Sequence, residues 1–357
     1  MKKTKSGFFI ILILFFCLFF SFTFLKKDKP YIFQTIPYFP QMPVSKDNLV
    51  TENGVELGRY LFYDPILSSD STISCSTCHQ QKNAFSDSPN RFSRGINGQS
   101  QNRNTPSLFN LAWYYAMFWD GRSNSIEAQV FHPVRDKNEM NLNWKDAEKK
   151  INRSKFYKKV FKKVFGNSKI DSVLISNAIA QFERTLISHN AKYDKVIRNE
   201  AKYTMEELEG FELVNDMTKG NCIHCHSTDG DGLGTTGLFS NNGLDEITSK
   251  TDFKDLGLGK TTNNSDNNGK FKIPSLRNLL FTAPYMHDGR FKTLEEVIDF
   301  YSSGIKISPT IDSKMEFAHQ GGSKFTKLEK TKIIAFLKTL SDSSFLKNKQ
   351  FSSPFSK

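Results

Sequence analysis

At 357 residues the chain is long enough for two domains of ordinary size, each with its own core. A composition of 38% hydrophobic and 24% charged residues excludes a disordered chain, and five cysteines are too few for a secreted disulfide scaffold. The lysines behind the net charge of +12 read as scattered, which argues against nucleic acid and for a basic surface that steers an acidic redox partner.

In residues 1–25, Lys2, Lys3 and Lys5 precede an apolar run from Phe8 to Leu25 broken only by Ser21 and Thr23. The run is long for the apolar part of a signal peptide and close to the roughly 20 residues that span a bilayer. No small-x-small cleavage signal accompanies it. The favoured reading is an uncleaved export anchor holding a periplasmic body at the inner membrane, with a removed signal peptide as the alternative. Residues 26–48 carry Pro30, Pro37, Pro40 and Pro43 and read as an extended tether.

The pentapeptide "CSTCH" at 75–79 recurs as "CIHCH" at 222–226, and the two copies use four of the five cysteines. Cys-x-x-Cys-His fixes a haem by two thioethers, and its histidine supplies one axial ligand. A zinc site would need further ligands nearby. Two covalently bound haem c groups are therefore expected, one on Cys75, Cys78 and His79, the other on Cys222, Cys225 and His226.

Each motif follows a short helical stretch, "VELGRYLF" or "EELEGFELV". Each also precedes a later helix with one apolar face: Ile175, Ile179, Phe182 and Leu186 for the first, Ile333, Phe336, Leu337 and Leu340 for the second. The predicted fold is mainly α, with two tandem cytochrome c-type haem domains at 49–202 and 203–345, long irregular loops, and a tail at 346–357. Within the polar loop 227–272, "DGDGLG" resembles the start of a calcium loop, but Ser240 stands where an EF-hand needs a carboxylate.

What lies across each iron decides between a wire and a reactor. No histidine occurs between Gln80 and Phe131, and Met117, inside "LAWYYAMFW", reads as a core residue. The first haem is expected to have an open face.

From Leu49 to about Ser341 the chain resembles the bacterial di-haem cytochrome c peroxidases and their MauG-type relatives. The resemblance rests on the order and spacing of "ELGRYLFYDPILSSDSTISCSTCH", "RNTPSLFN", "FWDGR", "NEM", "CIHCH", "GKFKIPSLRN" and "TAPYMHDGRF". It implies that Glu139 moves a proton between the two oxygens of peroxide, that Gln129 orients the peroxide, and that Pro133 shapes the pocket. It implies that Trp119 lies between the haems as an electron relay. It implies a calcium ion at the domain junction, held by Asn104, Thr282 and Pro284.

Two departures inform the expected function. The loop after the first haem lacks the histidine that blocks many of these peroxidases, so no reductive activation is expected. Nineteen positions after Thr282, where those enzymes place a methionine ligand to the second haem, stands Tyr301, as in MauG-type proteins. Met286, His287 and Met315 remain competitors, with Met286 disfavoured as too close in chain to the calcium region. His224 is expected to point away, and His189 and His319 to lie at the surface. The expected function is reduction of hydrogen peroxide with electrons from a small c-type cytochrome or cupredoxin. The alternatives are oxidative modification of a protein substrate and a non-catalytic electron carrier or redox sensor. The resemblance also implies a homodimer.

Overall fold

The computed structural model describes residues 28–43, 45–166, 169–228 and 231–355. The expected anchor lies outside the described residues; among them, no helix is long and apolar enough to cross a membrane.

Helix α1 (Glu52–Tyr63) starts at Thr51, whose side chain accepts the Gly54 N–H. α2 spans Ile126–Arg135, α3 Trp144–Arg153, α4 Lys155–Phe165 and α5 Ser172–Arg184. α6 (Lys192–Ile197) leads into the second half, where α7 (Met205–Asn215), α8 (Leu294–Asp299) and α9 (Lys327–Thr339) are the principal helices among long irregular loops. The fold is mainly helical; β1 (Phe239–Ser240) and β2 (Phe271–Lys272) form one small antiparallel pair.

The two halves are built alike. α1 packs on α5, and α7 packs on α9. Both crossings are made close by glycine. A Cβ on Gly58 would lie 1.9 Å from the Ala178 carbonyl oxygen, and one on Gly210 would lie 2.0 Å from that of Lys332. No side chain fits either place, so "ELGRYLF" and "EELEGFELV" carry the same packing instruction. The apolar faces expected around Ile175, Ile179 and Phe182, and around Ile333, Phe336 and Leu337, are buried in the cores of their halves.

Two segments pack more firmly than their sequence suggests. Residues 28–48 are no free tether: Ile36 and Phe39 are buried, and Tyr38 donates to the His189 carbonyl at 3.0 Å. The prolines signal extension, but the aromatic residues between them decide where the strand lies. Phe345 and Phe351 are buried against Phe85 and Phe109 of the first half, so the stretch read as a tail returns to its core. Tyr63 and Gln81 bind its carbonyls at Phe351 and Asn348. His189, expected at the surface, is half-buried where the halves meet, its N–H donating to Asp342.

The second half is locked to this seam by a fully buried ion pair. Arg277 binds both carboxylate oxygens of Asp194 and also donates to the Gly232 carbonyl at 2.9 Å.

Candidate functional site: two unlike cavities on one wall

Each Cys-x-x-Cys-His motif opens onto its own cavity. Cys75, Cys78 and His79 line the first, with about 1290 Å³ free of protein atoms; Cys222, Cys225 and His226 line the second, with about 1490 Å³. None of these four cysteines is engaged in a disulfide.

The residues present suit a haem in each cavity. His79 Nδ1 pairs with the Phe85 carbonyl at 2.9 Å, which leaves Nε2 as the ligating nitrogen. That carbonyl is aimed by an unusual turn in which Ala84 and Phe85 both take left-handed backbone angles, φ +52° and +59°. Burial lowers the His79 pKa, and lowers that of His226 to about 4, so both rings are neutral at pH 7, the form that binds metal. His226 Nδ1 is buried without a hydrogen-bond partner among the described residues. His224, inside the second motif, lines neither cavity.

The first cavity gathers Gln129, Pro133 and Glu139. Gln129 and Pro133 lie one turn apart on α2. Proline has no N–H for the Gln129 carbonyl, which loosens the helix where it meets the cavity. The chain then turns back on itself: Met140 N–H donates to the Pro133 carbonyl at 3.2 Å, and Glu139 N–H to that of Asp136 at 3.0 Å. From the far side Ile96 N–H reaches the Glu139 carbonyl at 3.0 Å. A Cβ on Gly95 would lie 2.1 Å from the Asn138 carbonyl oxygen, so only glycine lets that strand approach. Burial, with repulsion from Asp136, pushes the Glu139 carboxyl up to about 7 against the pull of Arg122. Such a group can accept and return a proton near neutrality. Met117 also lines this cavity but is buried in the surrounding core, as its sequence context suggests.

The second cavity is walled mainly by aliphatic and aromatic side chains, and Tyr301 enters it from a π-helical turn at Phe300–Gly304 that continues α8. Asn242 donates to the Tyr301 hydroxyl at 3.0 Å, and burial pushes that phenol up to about 12. Only a bound cation would make it a phenolate at neutral pH. The three competitors line the same space. Met286 is not too close in chain to reach it: its sulfur lies 3.7 Å from the Asn242 amide nitrogen, which also holds Tyr301. His287 is stacked flat on Phe271, ring centroids 3.5 Å apart. His319 is exposed.

Trp119 forms part of both cavity walls. Its indole N–H donates to the Asn104 carbonyl at 2.8 Å, and its own carbonyl accepts the Lys272 N–H at 2.8 Å. Asn104, Thr282 and Pro284 border one small space beneath it, of about 680 Å³. The Asn104 amide nitrogen donates to the Asn90 and Arg91 carbonyls, leaving its side-chain oxygen for a cation. These oxygens suit calcium in kind. The charge around them suits it less, because Lys272 and Arg277 border the space and, among the described residues, no carboxylate does.

Two residues of the site have no signal in the sequence. Lys272 is buried on both cavity walls, its ammonium 4.6 Å from the Tyr114 ring centroid, and burial lowers its pKa to about 8. Glu183, on α5, borders the first cavity with one carboxylate oxygen lacking any partner among the described residues, and burial raises its pKa to about 8. Only the three-dimensional structure reveals either, because nothing local distinguishes them from solvated charges.

Comparison with known proteins places this geometry. Residues 52–202 match the family model described as di-haem cytochrome c peroxidase. The chain is 34% identical over 303 residues to the methylamine utilization protein MauG of Methylorubrum extorquens, covering 84% of this chain and 81% of that one. It is 32% identical to the cytochrome c551 peroxidase of Nitrosomonas europaea, covering 84% of each. A crystal structure of a MauG-like protein associated with microbial copper homeostasis superposes with a TM-score of 0.81 at 33% identity, covering 91% of this chain and all of that one.

Proposed function

The chain belongs to the di-haem cytochrome c peroxidase family, and from that premise we propose that it reduces hydrogen peroxide to water at the first cavity, with electrons entering from a small cytochrome c or cupredoxin by way of the second. The reaction breaks one O–O bond and takes up two protons and two electrons, leaving two waters. A haem held by Cys75, Cys78 and His79 supplies the iron centre for that reduction. The protein supplies the rest.

Glu139 accepts a proton from the nearer peroxide oxygen and returns it to the farther one, which then departs as water, not as the poor leaving group hydroxide. Gln129 holds the peroxide in line for that transfer, and Pro133 keeps the pocket narrow. Trp119 bridges the two cavities and carries electrons between them. Cys222, Cys225 and His226 would hold the second haem, and Tyr301 would be a further ligand to it. Calcium, on Asn104, Thr282 and Pro284, would brace the wall that Trp119 belongs to. The enzyme works in the periplasm, tethered through residues 1–25, with domains at 49–202 and 203–345.

One observation carries the reading: a carboxyl poised near pH 7 in the cavity of His79, with no ion-pair partner among the described residues. Mixing the ferric protein with peroxide and following its absorption tests it. Glu139→Gln should slow the first spectral change by roughly 10²–10⁴-fold, the usual worth of a positioned acid–base group. An unchanged rate would remove Glu139 from the chemistry.

Tyr301 favours a second reading, oxidation of a protein substrate in the manner of MauG-type proteins. Steady turnover with a reduced small cytochrome supports the peroxidase; a stable oxidised state that such a cytochrome does not discharge supports the second.

A further inference from the structure

Residues 144–169, which make up α3, α4 and their flanks, contain ten Lys and Arg against two Asp and Glu. This net +8 is two-thirds of the charge of the whole chain, so the basic residues are not scattered. On α4, Lys155, Lys158, Lys159 and Lys162 fall at i, i+3, i+4 and i+7 and form one exposed stripe, while Tyr157 and Phe161 turn inward to the core. Lys145 and Arg153 of the α3 segment are exposed as well. None of these six has an ion-pair partner among the described residues.

Two exposed aromatic rings flank the stripe. Phe156 is 45% exposed and Phe355 is 53% exposed, and both rest edge-on against Tyr60, at 5.0 and 5.4 Å. Lysines with phenyl rings at their margin suit a phospholipid surface, where ammonium groups meet phosphate and the rings enter the acyl boundary.

The path of the chain selects this occupant over an acidic protein. Lys163, at the end of the stripe, donates to Asn53 at 2.6 Å, and Asn53 in turn donates to the Asp28 carboxylate. Asp28 is the first described residue, and the apolar run Phe8–Leu25 ends three positions before it. Whatever that run enters is therefore next to α4. We infer that the basic face of α3 and α4 is a membrane-docking surface that binds the phosphate-bearing headgroups of anionic phospholipids. The attraction acts within the Debye length, about 8 Å at physiological salt. It therefore requires the face to lie against the bilayer and not merely near it.

The test uses the full-length holoprotein with vesicles of phosphatidylcholine alone or of phosphatidylcholine and phosphatidylglycerol at 3:1. Exposed lysines are acetylated with an N-hydroxysuccinimide ester and quantified by mass spectrometry. Lys155, Lys158, Lys159 and Lys162 should react roughly tenfold more slowly with the anionic vesicles, and 1 M salt should abolish the difference. Lys306, exposed in the second half, should be unaffected. Lys158→Glu with Lys159→Glu should erase the protection of Lys155 and Lys162 while the haem absorption spectrum stays that of the parent. Equal labelling in the two lipid mixtures overturns the inference, as does protection that survives the charge reversal. Protection by an acidic soluble cytochrome but not by phosphatidylglycerol overturns it too, and makes the face a protein dock.

Discussion

The two cavities share a wall, a attachment motif and a packing plan, yet they differ in what faces the iron position. In the first, a turn stitched to the end of α2 presents Glu139 beside Gln129 and Pro133. In the second, the corresponding space is mostly apolar and holds Tyr301, with Met286 and Met315 beside it. The difference teaches that duplicating a haem-binding scaffold does not duplicate its chemistry. The attachment motif and the close helix crossing build a pocket suited to haem; the segments that follow set which side chains face it.

The largest contrast should come from exchanging these facing residues. Glu139→Gln should slow the reaction with peroxide by the orders of magnitude given above. Tyr301→Phe should leave that first step within a few-fold of the parent rate. It should instead change the spectrum of the second haem, read by electron paramagnetic resonance as loss of its low-spin ferric signal. An unaltered signal would pass the ligand role to Met286, His287 or Met315.

The shared packing plan predicts a symmetric response. Gly58→Ala and Gly210→Ala each force a methyl group against a backbone carbonyl, and each should destabilise the protein by about 1–3 kcal/mol. Thermal unfolding followed by circular dichroism measures this. A large loss at one site with none at the other would show that the two crossings are not equivalent.

Much of this was legible in the sequence because it is local. Five consecutive residues specify a haem attachment, and a 3.6-residue period specifies the faces of α5 and α9. Glu139, Gln129, Pro133 and Trp119 could be picked out only by resemblance, since a carboxylate after a helix is ordinarily a solvated one. Lys272 and Glu183 escaped altogether, because their character comes from burial by segments far away in sequence. The same non-locality explains why the tether and the tail pack more firmly than expected: Phe39 and Phe351 find their partners only after the chain has folded back. Met286 was misjudged for a related reason. Distance along the chain set its expected place, whereas the loop carrying Asn242 brings it beside Tyr301.

The last expected effect concerns Glu183, and it separates the cavity of Glu139 from that of Tyr301 by stability instead of rate. A carboxyl whose pKa is raised on folding binds its proton more tightly in the folded state than in the unfolded one. Its stabilising contribution is complete below the ordinary carboxyl pKa and is lost as pH rises towards about 8. The loss follows from placing an unpaired negative charge among buried apolar groups, with Glu127 adding repulsion and Arg184 only partly offsetting it. Glu183→Gln keeps the shape and removes the charge. Between pH 5.5 and pH 8.5 the parent should lose about 3 kcal/mol more stability than the variant, measured by denaturant unfolding at each pH. Tyr301→Phe, at the facing position of the other cavity, should leave this difference in place, because a phenol held up to about 12 stays neutral throughout the range. Parallel stability curves for the parent and Glu183→Gln would mean that the carboxyl finds a partner in the folded protein and is not an uncompensated charge.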